Sequence, residues 1–202
     1  MVFIAVFIYT GISGETLGLR KSLDDFYQTT NQADAYVYGE NLSDETAHNL
    51  KNIDGVMEVQ RRLELPTVAA LEHKPEVTVY FLESNEISRP LVREGELFNL
   101  ETDGIWLSER FASANALKIA ADFTVEYEGL QITKRIAGLV YSSEYVFNYE
   151  SAGITPNFKD YGFGFVSAKY FPLPEKLSYN QVLIKSDTDS AELKNQIMET
   201  TN

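Results

Sequence analysis

The side chains in this sequence that could do acid–base chemistry come mostly as paired carboxylates: Asp24/Asp25, Asp44/Glu45, Glu94/Glu96 and Asp187/Asp189. Two acids held about 5–10 Å apart in an aromatic-lined cleft would suit glycoside hydrolysis. Their sequence contexts point elsewhere. Asp44/Glu45 follow Ser43 and Asp187/Asp189 precede Ser190, so both pairs read as charges at helix N-termini, and Asp24/Asp25 as a solvated helix face. Asp187-x-Asp189 starts like a calcium loop but lacks the glycine and the terminal glutamate that such a loop uses. His48 and His73 fall on different expected elements, and there is no cysteine. Thiolate catalysis, disulfides, Cys-based zinc sites and iron–sulfur clusters are therefore excluded, and no cofactor, metal ligand or catalytic residue is expected.

The remaining motif with chemical potential is Gly11-Ile-Ser-Gly-Glu-Thr16. A phosphate-binding loop needs a lysine where Glu15 stands, and a carboxylate there would repel phosphate. The glycine spacing also misses the dinucleotide fingerprint and the Gly-x-Ser-x-Gly nucleophile elbow. Aromatic residues are the denser signal. Tyr145, Phe147, Tyr149, Phe158, Tyr161, Phe163, Phe165, Tyr170 and Phe171 crowd one stretch. Strand alternation in Tyr161-Gly-Phe-Gly-Phe165 puts three rings on one face and two glycines opposite, where another ring or backbone could approach. Core filling and a partner-binding surface both remain open for these rings. The candidate partner contacts are Tyr149, Phe158, Tyr161 and Phe163.

The elements that must carry these residues follow from periodicity. Met1–Gly14 has no charge, and three readings compete for it. A signal peptide lacks its basic start and small-residue cleavage site. A buried strand over Val2–Tyr9 would open a soluble α/β hydrolase or nucleotide-binding enzyme. The third reading is the outer end of a transmembrane helix, since a helix of this length spans about 20 Å, short of a bilayer core of about 30 Å. An amphipathic helix follows to Asn31, with Leu19, Leu23, Phe26 and Thr30 on one face.

Further along, the pattern gives a strand at Asp34–Gly39 and a helix capped by Ser43 that stops at Asp54-Gly55. Strands are expected at Val56–Leu65, Thr67–Leu71 and Val77–Leu82, then an irregular connection over 83–103. A second module begins at Gly104, with a helix from Ser108 to Leu117 and a hairpin turning at Glu128-Gly129. Gly138–Tyr141, Tyr161–Val166 and Tyr179–Lys185 read as strands, and a last helix carries Leu193 and Ile197. The 202 residues are 44% hydrophobic and 23% charged, enough for a real core and ordinary for a globular protein. A net charge of −13 disfavours nucleic acid as a partner.

Gly104-Ile-Trp-Leu-Ser-Glu-Arg-Phe-Ala-Ser-Ala-Asn-Ala-Leu-Lys-Ile-Ala-Ala-Asp-Phe-Thr-Val125, followed by Ile132-Thr-Lys-Arg-Ile-Ala-Gly-Leu-Val140, resembles the MacB-like periplasmic core domain of FtsX/MacB-like ABC transporter permeases. Ala121-Asp122 stands where that family usually has Gly-Asp. Asn52-Ile-Asp-Gly-Val-Met-Glu-Val59 is similar to the family's Ile-Pro-Gly-Val turn, with Asp54 in place of proline.

The resemblance implies an α+β fold: a porter-like αβ subdomain with an inserted β-rich subdomain, preceded by a helix continuing from a transmembrane segment. In that frame residues 1–14 are the outer end of the membrane helix and 15–33 a connecting helix. Residues 34–82 and 179–202 form the porter-like part, and 83–178 the insert. The implied role is non-enzymatic, on the extracytoplasmic side of the cell membrane, coupling cytoplasmic ATP hydrolysis to substrate export or to regulation of an extracellular partner. Implied partners are a cytoplasmic ABC ATPase, an extracytoplasmic protein or peptide, the membrane through the N-terminal segment, and a second permease copy in a dimeric transporter. The alternatives are an exported peptide- or glycan-binding module and, further off, the soluble enzyme starting at Val2.

Overall fold

A computed structural model of the chain describes residues 5–8, 17–145 and 157–200, with side chains from residue 21 onward apart from Ser190. The fold is α+β. Its strands are β1 Ala5–Ile8, β2 Ala35–Tyr38, β3 Val56–Ala69, β4 Glu76–Leu82, β5 Leu91–Gly95, β6 Ile105–Ser108, β7 Asp122–Tyr127, β8 Leu130–Tyr141, β9 Tyr161–Ser167 and β10 Gln181–Ser186. The helices are α1 Leu17–Thr30, α2 Asp44–Lys51, α3 Glu109–Ala114 and α4 Ser190–Thr200. The chain divides into unit one, Met1–Arg62, Ser84–Arg89 and Ser178–Asn202, and unit two, Leu63–Glu83 and Pro90–Leu177. The first boundary thus falls inside β3 after Arg62, not at residue 83, and Ser84–Arg89 returns to unit one.

In unit one, β2 lies between β1 and β10 and is antiparallel to both. β10 also pairs antiparallel with the first half of β3, so β2 and β3 run parallel with α2 as their crossover, a split β-α-β unit. Ser43 starts α2: its Oγ accepts the Thr46 N–H at 3.2 Å, and Asp44 and Glu45 occupy the first turn. Leu50 of α2 and Leu193 and Ile197 of α4 bury Ala35, Val37, Val182 and Ile184 on one sheet face. Gly55 ends the α2 turn at φ +77°, and a Cβ there would run into the Thr188 side chain. Its carbonyl accepts from Asp187 N at 3.1 Å and Ser186 Oγ at 2.9 Å. Glycine is required at this turn twice over, for backbone conformation and for space.

Within residues 1–14, expected as the outer end of a membrane helix, Ala5–Ile8 is instead a strand, with Ala5 opposite Tyr38 and Ile8 opposite Ala35. Val6, Phe7 and Ile8 have strong strand preference, and the free edge of β2 supplies partners for their backbone groups. Residues 1–4 and 9–16 lie outside the described residues.

The helix α1 ends at Asn31, which takes φ +51°. Its last carbonyls are satisfied by a segment remote in sequence. Arg89 N donates to Thr30 O at 2.7 Å, Arg89 Nη2 to Thr29 O at 3.2 Å, and Ser88 N to Asn31 O at 2.8 Å. Ser88 Oγ in turn accepts Ala33 N at 3.1 Å, and Ile87 is buried with Ala33 and Leu183. From β3, Gln60 Oε1 accepts Glu86 N at 2.8 Å, Ile87 N at 3.0 Å and Ser84 Oγ at 3.2 Å. Ser84–Arg89 is a clasp on the end of α1, and it caps carbonyls that a helix terminus otherwise leaves to water.

Unit two is a closed ring of strands. β3 pairs with β4, β4 with β9, β9 with β6, β6 with β8, β8 with β7, and β7 again with β3. Closure leaves no strand of the ring with a free edge along its whole length. Leu63, Leu65, Val77, Val79, Phe81, Ile105, Leu107, Phe123 and Val125 are buried on its inner face. Phe111 of α3 meets Phe123 there at 6.2 Å between ring centres.

Two differences from the sequence expectation have simple causes. β3 runs unbroken through Pro66. Ala69 N bonds Pro75 O on the β4 side, so residue 66 faces the other way, where pairing with β7 begins only at Val68; the missing N–H costs no ladder bond. β5 lies within the expected irregular connection, because its five residues, Leu91–Gly95, are too few and too charged to show a pattern.

Candidate recognition surface

In three of the four carboxylate pairs one member has a structural partner. Asp44 pairs with Arg61 and Glu96 with Arg135, while Asp189 Oδ1 accepts Ala191 N at 2.9 Å in the first turn of α4. His48 of unit one borders an open depression with Ala47, Lys51, Glu58, Val59 and Glu86. His73 of unit two faces Lys159 O at 3.2 Å and Asp160 at 3.8 Å. Among the described residues no group of three or more His, Asp or Glu is placed to hold a metal ion.

The rings of β9 alternate as its sequence implies. Phe163 and Phe165 share one face with centres 5.8 Å apart, and the opposite glycines are closely approached. A Cβ on Gly162 would strike the Phe111 ring, and one on Gly164 the Ile105 side chain. On the outer face of the ring, Tyr80, Trp106, Phe163 and Phe165 form a second apolar layer covered by Phe98, Leu100, Val92 and Tyr145. Tyr145 stacks on Phe163 at 4.1 Å, and its hydroxyl lies 2.6 Å from that of Tyr80. Burial pushes the Tyr145 phenol well above its usual value; the Tyr80 hydrogen bond opposes this, and the Glu144 and Glu64 carboxylates add to it. Part of the residue remains accessible, so the enclosed portion is its hydroxyl end.

Of the four candidate contacts, Phe163 is 7% exposed and belongs to this core; its ring cannot meet a partner without opening the layer. Tyr161 and Phe158 are half-buried, and Tyr149 lies outside the described residues.

Phe158 leads to a cluster not apparent from sequence. The Arg110 guanidinium carbon sits 4.9 Å from the centre of the Phe158 ring and 5.9 Å from that of Tyr141. Arg93 lies 5.4 Å from the same Tyr141 ring. The β5–β8 register slips between Val92 and Glu94, making Arg93 the extra residue of a bulge, a device that re-aims a side chain. Arg110 comes from the first turn of α3. Tyr141 is positioned at the end of β8 opposite Leu91, and its hydroxyl donates to Glu109 Oε2 at 3.3 Å. Both arginines are exposed. The Pro90 and Gly95 punctuation could have flagged β5, but no local signal links positions 93, 110, 141 and 158.

Two solved structures share features with this chain. The extracellular domain of the noncanonic ABC-type transporter YknZ from Gram-positive bacteria is 14% identical, covering 78% of this chain and 77% of that one, with a TM-score of 0.49. The periplasmic region of MacB from Actinobacillus actinomycetemcomitans is 13% identical, covering 98% of this chain and 81% of that one, with a TM-score of 0.47. MacB is one of the permeases named by the sequence resemblance. At these identities no residue's role transfers to this chain. No family model and no curated protein sequence matches it.

Proposed function

We propose that this chain is a non-enzymatic extracytoplasmic domain of an ABC transporter permease, working with a cytoplasmic ATPase to convert ATP hydrolysis into movement outside the membrane. The observation that carries the reading is the clasp. A domain looped between membrane spans is moved as one piece when it receives and returns the chain through one unit. Here α1 and α4 both belong to unit one, and α4 packs against β1 and α2. Displacement of α1 along its axis pulls on Thr29, Thr30 and Asn31, the residues gripped by Ser88 and Arg89. The clasp lies between β4 and β5, so such a pull reaches the strands of unit two along the backbone itself. Among the described residues no helix is long and apolar enough to cross a membrane, so spans belong to the proposal and not to these residues.

The absence of cysteine makes topology directly testable. Leu97 is 80% exposed, so Leu97→Cys gives one reactive thiol within these 202 residues, and the unsubstituted protein serves as the labelling control. In intact cells, with the outer membrane permeabilised where there is one, a membrane-impermeant maleimide should label it without lysis. Labelling only after lysis refutes the extracytoplasmic reading. Co-purification of the full-length protein with an ABC ATPase tests the coupling half.

A further inference from the structure

We infer that Arg93, Tyr141, Arg110 and Phe158 form a docking surface for an acidic peptide segment of a partner protein. The chain carries 30 acids against 17 lysines and arginines, so an exposed guanidinium should readily find a carboxylate. Arg135 does so, as does the buried Arg61, and Lys134, Lys169 and Lys185 each find one too. Arg93 and Arg110 do not: among the described residues, ring faces are their only partners.

A guanidinium held over a ring by cation–π attraction is pre-organised, while its N–H groups stay free. Such a fork takes a carboxylate with two parallel hydrogen bonds. The support is built for this pose. A bulge turns Arg93 onto Tyr141, Glu109 holds the Tyr141 hydroxyl, and Phe158 backs Arg110.

Charge decides between anionic partners. The overall field of −13 repels an extended polyanion, whether nucleic acid or an anionic lipid surface. A peptide bearing a few carboxylates meets that field weakly and gains from two local cations. The half-buried Phe158 and Tyr141 rings offer apolar surface for side chains flanking those carboxylates. This inference stands apart from the proposed transport role, since the surface could bind its peptide whatever the labelling experiment returns.

The test uses the full 202-residue chain and a terminally blocked Glu-Phe-Glu-Phe-Glu peptide, titrated by NMR with the arginine side-chain Nε–H signals observed. Inorganic phosphate, phosphatidylglycerol vesicles and the Gln-Phe-Gln-Phe-Gln peptide form the other arms. The Glu peptide should bind and shift the Arg93 and Arg110 signals, weaken with salt, and exceed the Gln peptide. Arg93→Gln and Arg110→Gln should each weaken it about tenfold, a loss typical of a charged hydrogen bond. Arg110→Lys should recover only part of the loss, because an ammonium cannot form the planar pair. Thermal unfolding of each variant confirms that it folds. No binding of the Glu peptide, equal binding of both peptides, or a response to vesicles or phosphate alone would overturn the inference.

Discussion

Tyr145 shows how one residue can set a pH limit on this fold. Its hydroxyl is enclosed against Tyr80 and its ring stacked on Phe163, so the neutral phenol is favoured when folded. In the unfolded chain the group ionises near its ordinary value of about 10. A raised folded value means that this stabilisation is complete below about pH 10 and is lost as pH rises beyond it toward the folded value. Tyr145→Phe should cost about 0.5–1.5 kcal/mol at neutral pH through the lost hydrogen bond. The variant should then lose less stability than the wild type on moving to strongly alkaline solution, as read from urea midpoints across pH. Parallel loss in both proteins would show that Tyr145 does not carry the alkaline limit. Phe163 could be read from sequence as sharing a face with Tyr161 and Phe165. Its burial could not, because that depends on Tyr145 and Phe98 arriving from other elements.

Among the elements, α2 and α4 were legible because their start signals are local: Ser43 with two acids, and Asp189 before an apolar periodicity. α1 was legible by periodicity, and the chain leaves the helix at Asn31, where the sequence reading ended it. Asn31 turns left-handed in a local cap, Asn31 N bonding Gln28 O and Gln32 N bonding Tyr27 O, but the clasp was hidden because Ser88 and Arg89 reach the helix carbonyls from far away in sequence. Ring closure in unit two was hidden for the same reason, since the β3–β7 and β4–β9 pairs connect distant segments. Gln60 makes the clasp testable as an element. Its Oε1 takes three donors while only 2% of the residue is exposed, so Gln60→Ala leaves the buried Ile87 N–H and the part-buried Glu86 N–H without this partner. The expected cost is about 1–3 kcal/mol. Hydrogen exchange should accelerate first at the Glu86 and Ile87 amides. Uniform acceleration across β4 and β9 would show instead that the clasp has no stability of its own.

At the scale of the whole molecule, the two-part plan expected from the resemblance to MacB-like domains implied one insertion between residues 83 and 178. The chain instead changes unit after Arg62, Glu83, Arg89 and Leu177. The shift arises because β3 continues past Arg62 and because six residues, Ser84–Arg89, go back to grip α1. This makes the second unit a poor spare part. A module inserted by a single event can be lifted out with two cuts and grafted elsewhere. Residues 63–177 cannot, since the excised piece carries Ile87 and Ser88 away from Ala33 and Asn31, the groups they were built to cover. Expressed alone, that fragment should aggregate or unfold in a broad transition. Replacing 84–89 by a short polar turn should restore a soluble, cooperatively melting ring. Cooperative melting of the unmodified fragment would show that the clasp is dispensable to it. If the unmodified fragment fails, recombination among related genes has to move both units together or replace the strap at the same step.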